Sequence, residues 1–307
     1  MSAASRAATA VAILGKRTHW YGRIAAGQAR RAARMTLAGI GLPLRREFLV
    51  FGCAHGEDAS GLFSEVAAVI GCAVEVESHP RLYAGMRVDF QRHGLYYDAS
   101  AGPNWWEYYF EPLTIGNPDR AVLRPAFDWE HDGFAALVEL AMPRTAAAAL
   151  VRRHARVKAG VMARVDQYWT AHAGGAGVVG VHYRGTDKWE GAPVVPYEAV
   201  AQAVLDASRA VNADRWKLFL ATDEEACLDF MRQRFPSRVI ALDIRRASDG
   251  RPLHKAPGDG YRKGEAAMID CLLLARCAHL VRTDSDLGLF STFFNPDLPV
   301  TMLGKPT

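Results

Sequence analysis

No stretch of this chain's N-terminal region approaches the roughly 18 consecutive apolar residues of a membrane-spanning helix; the longest apolar run there is Ala8–Leu14. Cysteine is scarce. Cys53, Cys72, Cys227, Cys271 and Cys277 are five, an odd number with no CxxC pair. That spacing excludes a disulfide framework and a zinc ribbon, and reads as reduced thiols in a cytosolic protein. No GxxxxGK[ST] phosphate loop is present. Acid is absent from residues 1–46, which carry nine basic residues: Arg6, Lys16, Arg17, Arg23, Arg30, Arg31, Arg34, Arg45 and Arg46. The net charge of the whole chain is +4, so residues 47–307 carry −5. The basic character belongs to the leader, not to the body.

Charges interrupt that leader and no long apolar core follows, which excludes a secretory signal. Three readings stay open for it: an interfacial helix on an anionic membrane surface, a tail or packing helix, or a nucleic-acid contact. The last lacks the interleaved aromatics of a nucleic-acid platform, and no nucleic-acid partner is expected.

What is present is an alternation of strand and helix patterns in 307 residues that are half hydrophobic and 23% charged. Residues 47–53 read as a strand, followed by a small-residue loop and an apolar-periodic helix over 62–70. Val74–Val76 reads as a short second strand, and helical patterns fill about 132–141 and 143–171. Gly174 and Gly175 then separate a long helix from a new strand. Beyond them the pattern predicts strand 178–183, helix 197–211, strand 217–222, helix 223–234, strand 238–242, helix 264–277 and strand 279–282. Such alternation implies a parallel, doubly wound sheet. Gly175-Ala-Gly-Val-Val-Gly180 matches GxGxxG as text, but its glycines precede a strand instead of opening a helix, so a dinucleotide site is rejected.

Chemistry concentrates in Gly180-Val-His-Tyr-Arg-Gly-Thr-Asp-Lys188. Side chains two apart on a strand share a face, so His182 and Arg184 point together from the strand's C-terminal end, where α/β proteins open their ligand crevice. The Arg184 guanidinium is a planar fork suited to a phosphate. A strand end with an Arg184–Asp187 surface pair is the plainer reading.

The run His182-x-Arg184-x-x-Asp187-Lys188 resembles the donor-phosphate motif of the GDP-fucose-dependent fucosyltransferases, nearest to the α1,6-fucosyltransferase group with the bacterial nodulation enzymes, and more distantly the protein O-fucosyltransferases. Three further blocks agree in order and spacing: Leu218–Asp223, Gly264–Asp270 and Leu280–Ser285. The resemblance covers about residues 176–303 and is faint upstream of 165. It implies that Arg184 holds the donor diphosphate, that Asp187 holds Arg184, and that Lys188 sits near the reacting centre. It places Asp223 near the nucleotide, Asp270 facing guanine or phosphate-bound water, and Ser285 at the phosphate. The chain departs from the family at two points. The second of two adjacent strand-end arginines is here Gly185. The family's catalytic glutamate falls four residues after the lysine in the α1,6 group, whereas Glu190 falls two after Lys188.

Each of these residues also has an ordinary reading. Thr222, Asp223 and Ser285 are typical helix caps; Glu190 could be a solvated loop charge; Asp270, in an apolar helix, could be partly exposed. Residues 245–264 form a long basic loop with Arg245, Arg246, Arg251, His254, Lys255, Arg262 and Lys263, either a lid over a pyrophosphate or simply irregular. Tyr261 at its end could stack on a base or sugar. Trp105 and Trp106, in an aromatic run, suit either an acceptor sugar or a core. His55 lies in the loop after the first strand and would face the same cleft.

The expected architecture is α/β and GT-B-like, two Rossmann-like domains facing a cleft: a basic leader (1–46), an acceptor-side domain (47–165) and a donor domain (176–307). The expected function is an inverting, metal-independent transfer of fucose from GDP-fucose to a glycan or glycoconjugate hydroxyl. Arg184, Lys188 and Glu190 are its catalytic candidates, and it uses no cofactor beyond the donor substrate. No DxD motif is placed to hold a metal. The expected location is cytoplasmic, peripheral at the inner membrane face if the leader meets lipid. A transferase for a different nucleotide-sugar, and a non-catalytic membrane- or polyanion-binding protein on a degenerate transferase fold, are the alternatives.

Overall fold

The computed structural model describes residues 27–52, 61–92, 94–126, 142–185, 195–211, 215–247 and 258–304. The first half contains helix α1 (27–39), β1 (Glu47–Phe51), α2 (Leu62–Ser78), β2 (Tyr83–Val88), α3 (Trp106–Tyr109), β3 (Thr114–Gly116) and β4 (Val122–Ala126). Its sheet runs β3-β2-β1-β4, with β1 parallel to β2 and β4, and β3 antiparallel to β2. Two helices, α4 (Arg144–His154) and α5 (Ala159–Ala173), lead to the second half. There β5 (Val178–Tyr183), α6 (Tyr197–Val211), β6 (Lys217–Thr222), α7 (Glu225–Arg234), β7 (Val239–Ile240), α8 (Gly260–Ala275), β8 (His279–Arg282), α9 (Asp286–Phe294) and β9 (Val300–Met302) follow.

The second sheet is parallel throughout, in the order β7-β6-β5-β8-β9. From β5 the chain winds outward to β6 and β7, then returns to β8 on the other side. The strand order therefore reverses between β5 and β8, and a crevice opens at their C-terminal ends. His182 and Arg282 are paired across that reversal.

Most expected elements of this half appear where the pattern places them. The first half departs more. Val74–Val76 is not a strand but the last turns of α2. Its alternation with Glu75 and Glu77 mimics a strand, yet Glu75 and Val76 are buried as part of a helix whose apolar side runs from Leu62 onward. The single helix expected over 143–171 is broken at Ala155–Lys158. There Val157 bridges Phe110, and Arg156 O and Lys158 N–H bond to Glu111 and Tyr109. Gly180, the third glycine of the rejected GxGxxG text, lies inside β5. A Cβ there would come within 2.9 Å of Cys277 Sγ, so this glycine lets α8 approach the sheet.

One apolar core runs through both halves, joining Phe51, Ile70 and Trp105 to Met268, Leu273 and Phe290, while a second covers the opposite face of the β5 sheet. Phe63 of α2 packs on Phe290 of α9, with ring centroids 5.1 Å apart. The Tyr109 hydroxyl donates to Tyr261 O at 2.6 Å.

Part of the basic leader is a packing element. Glu47 and Glu75 are buried, at 2% and 8% exposure. Arg31 donates to both oxygens of Glu75 at 2.8 and 2.7 Å. Arg30, Arg34 and Arg124 surround Glu47. Buried carboxylates need such partners, because their desolvation is otherwise uncompensated. Three of the leader's nine charges thus turn inward. No helix among the described residues is long and apolar enough to cross a membrane.

Candidate functional site

A cavity of about 520 Å³ opens at the β5/β8 reversal. The first half supplies Gly61–Ser64 at the start of α2, and Tyr96; the second supplies the ends of β5 and β6, residues 243–245, and the exposed face of α8. Both halves therefore contribute walls to the cavity, the first through the start of α2 and Tyr96, the second through its strand ends and α8.

His182 and Arg184 both line it, as their shared strand face requires. His182 is 6% exposed. Its Nδ1 lies 3.1 Å from Ser285 Oγ, and Ser285 Oγ accepts the Gly288 N–H at 3.1 Å. Ser285 is the N-cap of α9. It is buried behind His182 and is not a wall residue; Asp286 and Leu287 take the wall instead. Ser285 therefore contacts the cavity side chain His182 without lining the cavity itself. The Arg184 backbone N–H donates to Thr283 Oγ1 at 3.1 Å, and Thr283 N–H to His182 O at 3.0 Å. These bonds fix the backbone from which the guanidinium projects.

Asp270 reaches the same cavity from α8. It is 7% exposed, and its Oδ1 has no hydrogen-bond partner. Burial raises its pKa to about 7, with the Arg246 guanidinium pulling the other way. A buried acceptor without a partner costs free energy unless something donates to it. Asp223 also lines the cavity. The Thr222 hydroxyl accepts a backbone N–H from Glu224 at 3.2 Å, not from the helix α7.

Position 185 is one departure from the family motif. A Cβ on Gly185 would lie 2.2 Å from Glu224 Oε1. Glu224 is held there by the Tyr197 hydroxyl, which donates to Oε2 at 2.8 Å. Burial raises the Glu224 pKa, and Asp223 adds to the rise, while the Tyr197 bond opposes it. A side chain at position 185 would therefore require the Glu224 carboxylate to shift.

Trp105 and Trp106 are 1% and 0% exposed. They are core residues, Trp106 stacked on Phe110 and Trp105 on Phe90, so neither presents a face to an acceptor. Tyr261 likewise turns from the cavity; it packs on Tyr108 and Tyr109 and donates to Glu265 Oε1 at 3.1 Å. His55, Asp187, Lys188 and Glu190 lie outside the described residues.

Two wall features lie outside the motifs read from the sequence. Tyr96 sits in the cavity wall at 3% exposure, with Glu65 and Arg184 as its charged neighbours. Ser64 donates to Asp286 Oδ2, stapling α2 to α9 at the cavity floor. Both come from, or depend on, the half where no motif is legible. Among the described residues, no group of three or more His, Cys, Asp or Glu side chains is arranged to hold a metal.

Comparison with known proteins agrees with this geometry. Residues 144–296 match the family model of NodZ, nodulation protein Z. Nodulation protein Z of Sinorhizobium fredii strain NGR234 is 31% identical over 133 residues, a match spanning 41% of this chain and 41% of that protein. A crystal structure of NodZ α1,6-fucosyltransferase co-crystallised with GDP superposes with a TM-score of 0.53 at 17% identity, covering 86% of this chain and 96% of that one. The same enzyme soaked with GDP-fucose gives 0.52 at 19% identity, covering 82% and 94%. The fold is GT-B-like, and residues 144–296 are similar in sequence to the nodulation fucosyltransferase family.

Proposed function

We propose that this protein is a fucosyltransferase that moves fucose from GDP-fucose to a hydroxyl of a glycan or glycoconjugate. The observation that carries the reading is the convergence, at one sheet's switch point, of Arg184 and His182 with the open buried carboxylate of Asp270. A guanidinium beside an unpartnered acceptor suits a nucleotide: the fork takes the diphosphate, and the carboxylate takes base N–H groups. NodZ, which shares the fold, has been crystallised with GDP and soaked with GDP-fucose.

In the mechanism the site supports, the acceptor hydroxyl attacks the anomeric carbon opposite the leaving GDP, and the configuration inverts. Arg184 stabilises the charge that develops on the diphosphate, work that a preorganised cation does without a metal. By the family resemblance, Glu190 takes the acceptor proton and Lys188 assists at the reacting centre. Attachment to an anionic membrane face would use the leader arginines not engaged with Glu47 and Glu75.

The test is a thermal-shift screen of GDP- and UDP-sugars, followed by transfer of labelled fucose to a panel of oligosaccharides. Stabilisation by GDP and GDP-fucose and label in an acceptor are expected. Stabilisation by UDP-sugars alone would select another donor, and no response to any nucleotide would leave a non-catalytic fold.

A further inference from the structure

With glycine at position 185, the strand end carries one arginine, Arg184, where a diphosphate carries several negative charges. The missing cation has to come from elsewhere on the cavity wall. The cleft-facing side of α8 supplies a candidate. Its wall residues are Arg262, Lys263, Ala266, Ala267 and Asp270, the 3- and 4-residue spacing of one helix face. Lys263 and Asp270 stand two turns apart on that face, about 10 Å along the axis at 1.5 Å per residue. Only alanines lie between them, so the face is a shallow trough with a cation at one end and an open acceptor at the other. That separation suits the reach from the hydrogen-bonding edge of a nucleotide base to its phosphates.

We propose that Lys263 is the second diphosphate-binding cation of this site, in the place of a cationic side chain that the glycine at position 185 does not supply. The inference rests on the nucleotide reading above. Arg262 and Arg245 also reach the wall but are exposed, whereas Lys263 is half-buried. Burial holds the Lys263 pKa below the ordinary lysine value, with Asp259 acting against the shift. A partly desolvated ammonium gains from an arriving phosphate, since the pair is less screened than at the surface. As a point charge it accepts either phosphate oxygen, unlike the fixed fork of Arg184.

The experiment is calorimetric titration of the full chain with GDP and with guanosine, for wild type, Lys263→Ala and Lys263→Arg, at two salt concentrations. Lys263→Ala is expected to lose at least about tenfold in GDP affinity, the scale of one charge-assisted hydrogen bond. Guanosine affinity should not change, the salt dependence of GDP binding should flatten, and Lys263→Arg should recover part of the loss. Unchanged GDP affinity and salt dependence in Lys263→Ala would make Lys263 a solvated helix-end charge and overturn the proposal. Equal losses for GDP and guanosine would also overturn it, since they would show a structural effect. Failure of the wild type to bind GDP would instead remove the nucleotide reading itself.

Discussion

Ser285 Oγ and His182 Nδ1, 103 residues apart in sequence, meet at 3.1 Å across the gap between β5 and β8. The contact joins a helix cap to a cavity side chain. It ties the cap to the site: the same oxygen that holds the first turn of α9 contacts the imidazole of His182.

Ser285→Ala should therefore have two separable effects. Loss of the cap should destabilise the fold by about 1 kcal/mol. Loss of the His182 contact should weaken nucleotide binding beyond that. Ser285→Asp, which can still cap, should restore most of the melting temperature. If alanine lowers stability but leaves nucleotide affinity untouched, His182 needs no orienting partner.

Arg184→Lys should cut transfer by orders of magnitude and weaken GDP binding, because an ammonium cannot reproduce two parallel bonds to a phosphate. The melting temperature should hold, since Arg184 lies at the rim of the sheet and not in either core. Near-normal turnover in the lysine variant would remove the diphosphate from Arg184.

The second sheet was legible because its strands are short apolar runs bounded by turn residues, and parallel winding follows from their alternation with helices. The switch-point location of His182 and Arg184 was legible for the same reason. The first half was harder. Val74–Val76 has the alternation of a strand, and only the packing of α2 between a sheet and α9 shows it to be helical. The aromatic run at Trp105 and Trp106 fits a sugar platform or a core equally well as sequence; burial decides it. The nearness of Glu224 to Gly185 joins residues 39 apart, which spacing alone does not announce.

Arg31→Ala should lower stability by about 2 kcal/mol, because Glu75 would lose two charge-assisted bonds while remaining buried. For a chain of this size that is a fall of roughly 3 °C in melting temperature. Deleting residues 1–40 removes Arg30, Arg31 and Arg34 together and should destabilise more. An unchanged melting temperature after that deletion would mean that α1 contributes nothing to the fold. Sedimentation of the intact chain with anionic vesicles, at low and high salt, separately reports whether the remaining leader charges reach lipid.

Transfer should persist in excess EDTA, since the proposed charge stabilisation comes from Arg184 and Lys263. Activity that disappears on chelation and returns only with Mn²⁺ or Mg²⁺ would contradict that assignment.

Asp270 makes the pH dependence specific. Its folded-state pKa of about 7 lies above the ordinary 3.8, owing to burial. Between those values the folded protein holds a proton that the unfolded chain has lost. The group is therefore least unfavourable to folding at low pH, and its penalty grows as pH rises from about 4 to about 7, where it becomes complete. Asp270→Asn removes the titration, so the variant should gain stability relative to wild type above pH 7 and gain little near pH 4. Nucleotide binding should run the other way. Base N–H donors favour the ionised carboxylate, so GDP affinity should rise with pH up to about 7, and binding near pH 6 should release a proton. Calorimetry in two buffers of different ionisation enthalpy measures that proton. In Asp270→Asn, GDP affinity should be weaker and the pH dependence flat. A wild-type affinity that does not change between pH 5.5 and 8, with no proton released, would mean that Asp270 does not meet the base, and its open oxygen would then need another ligand.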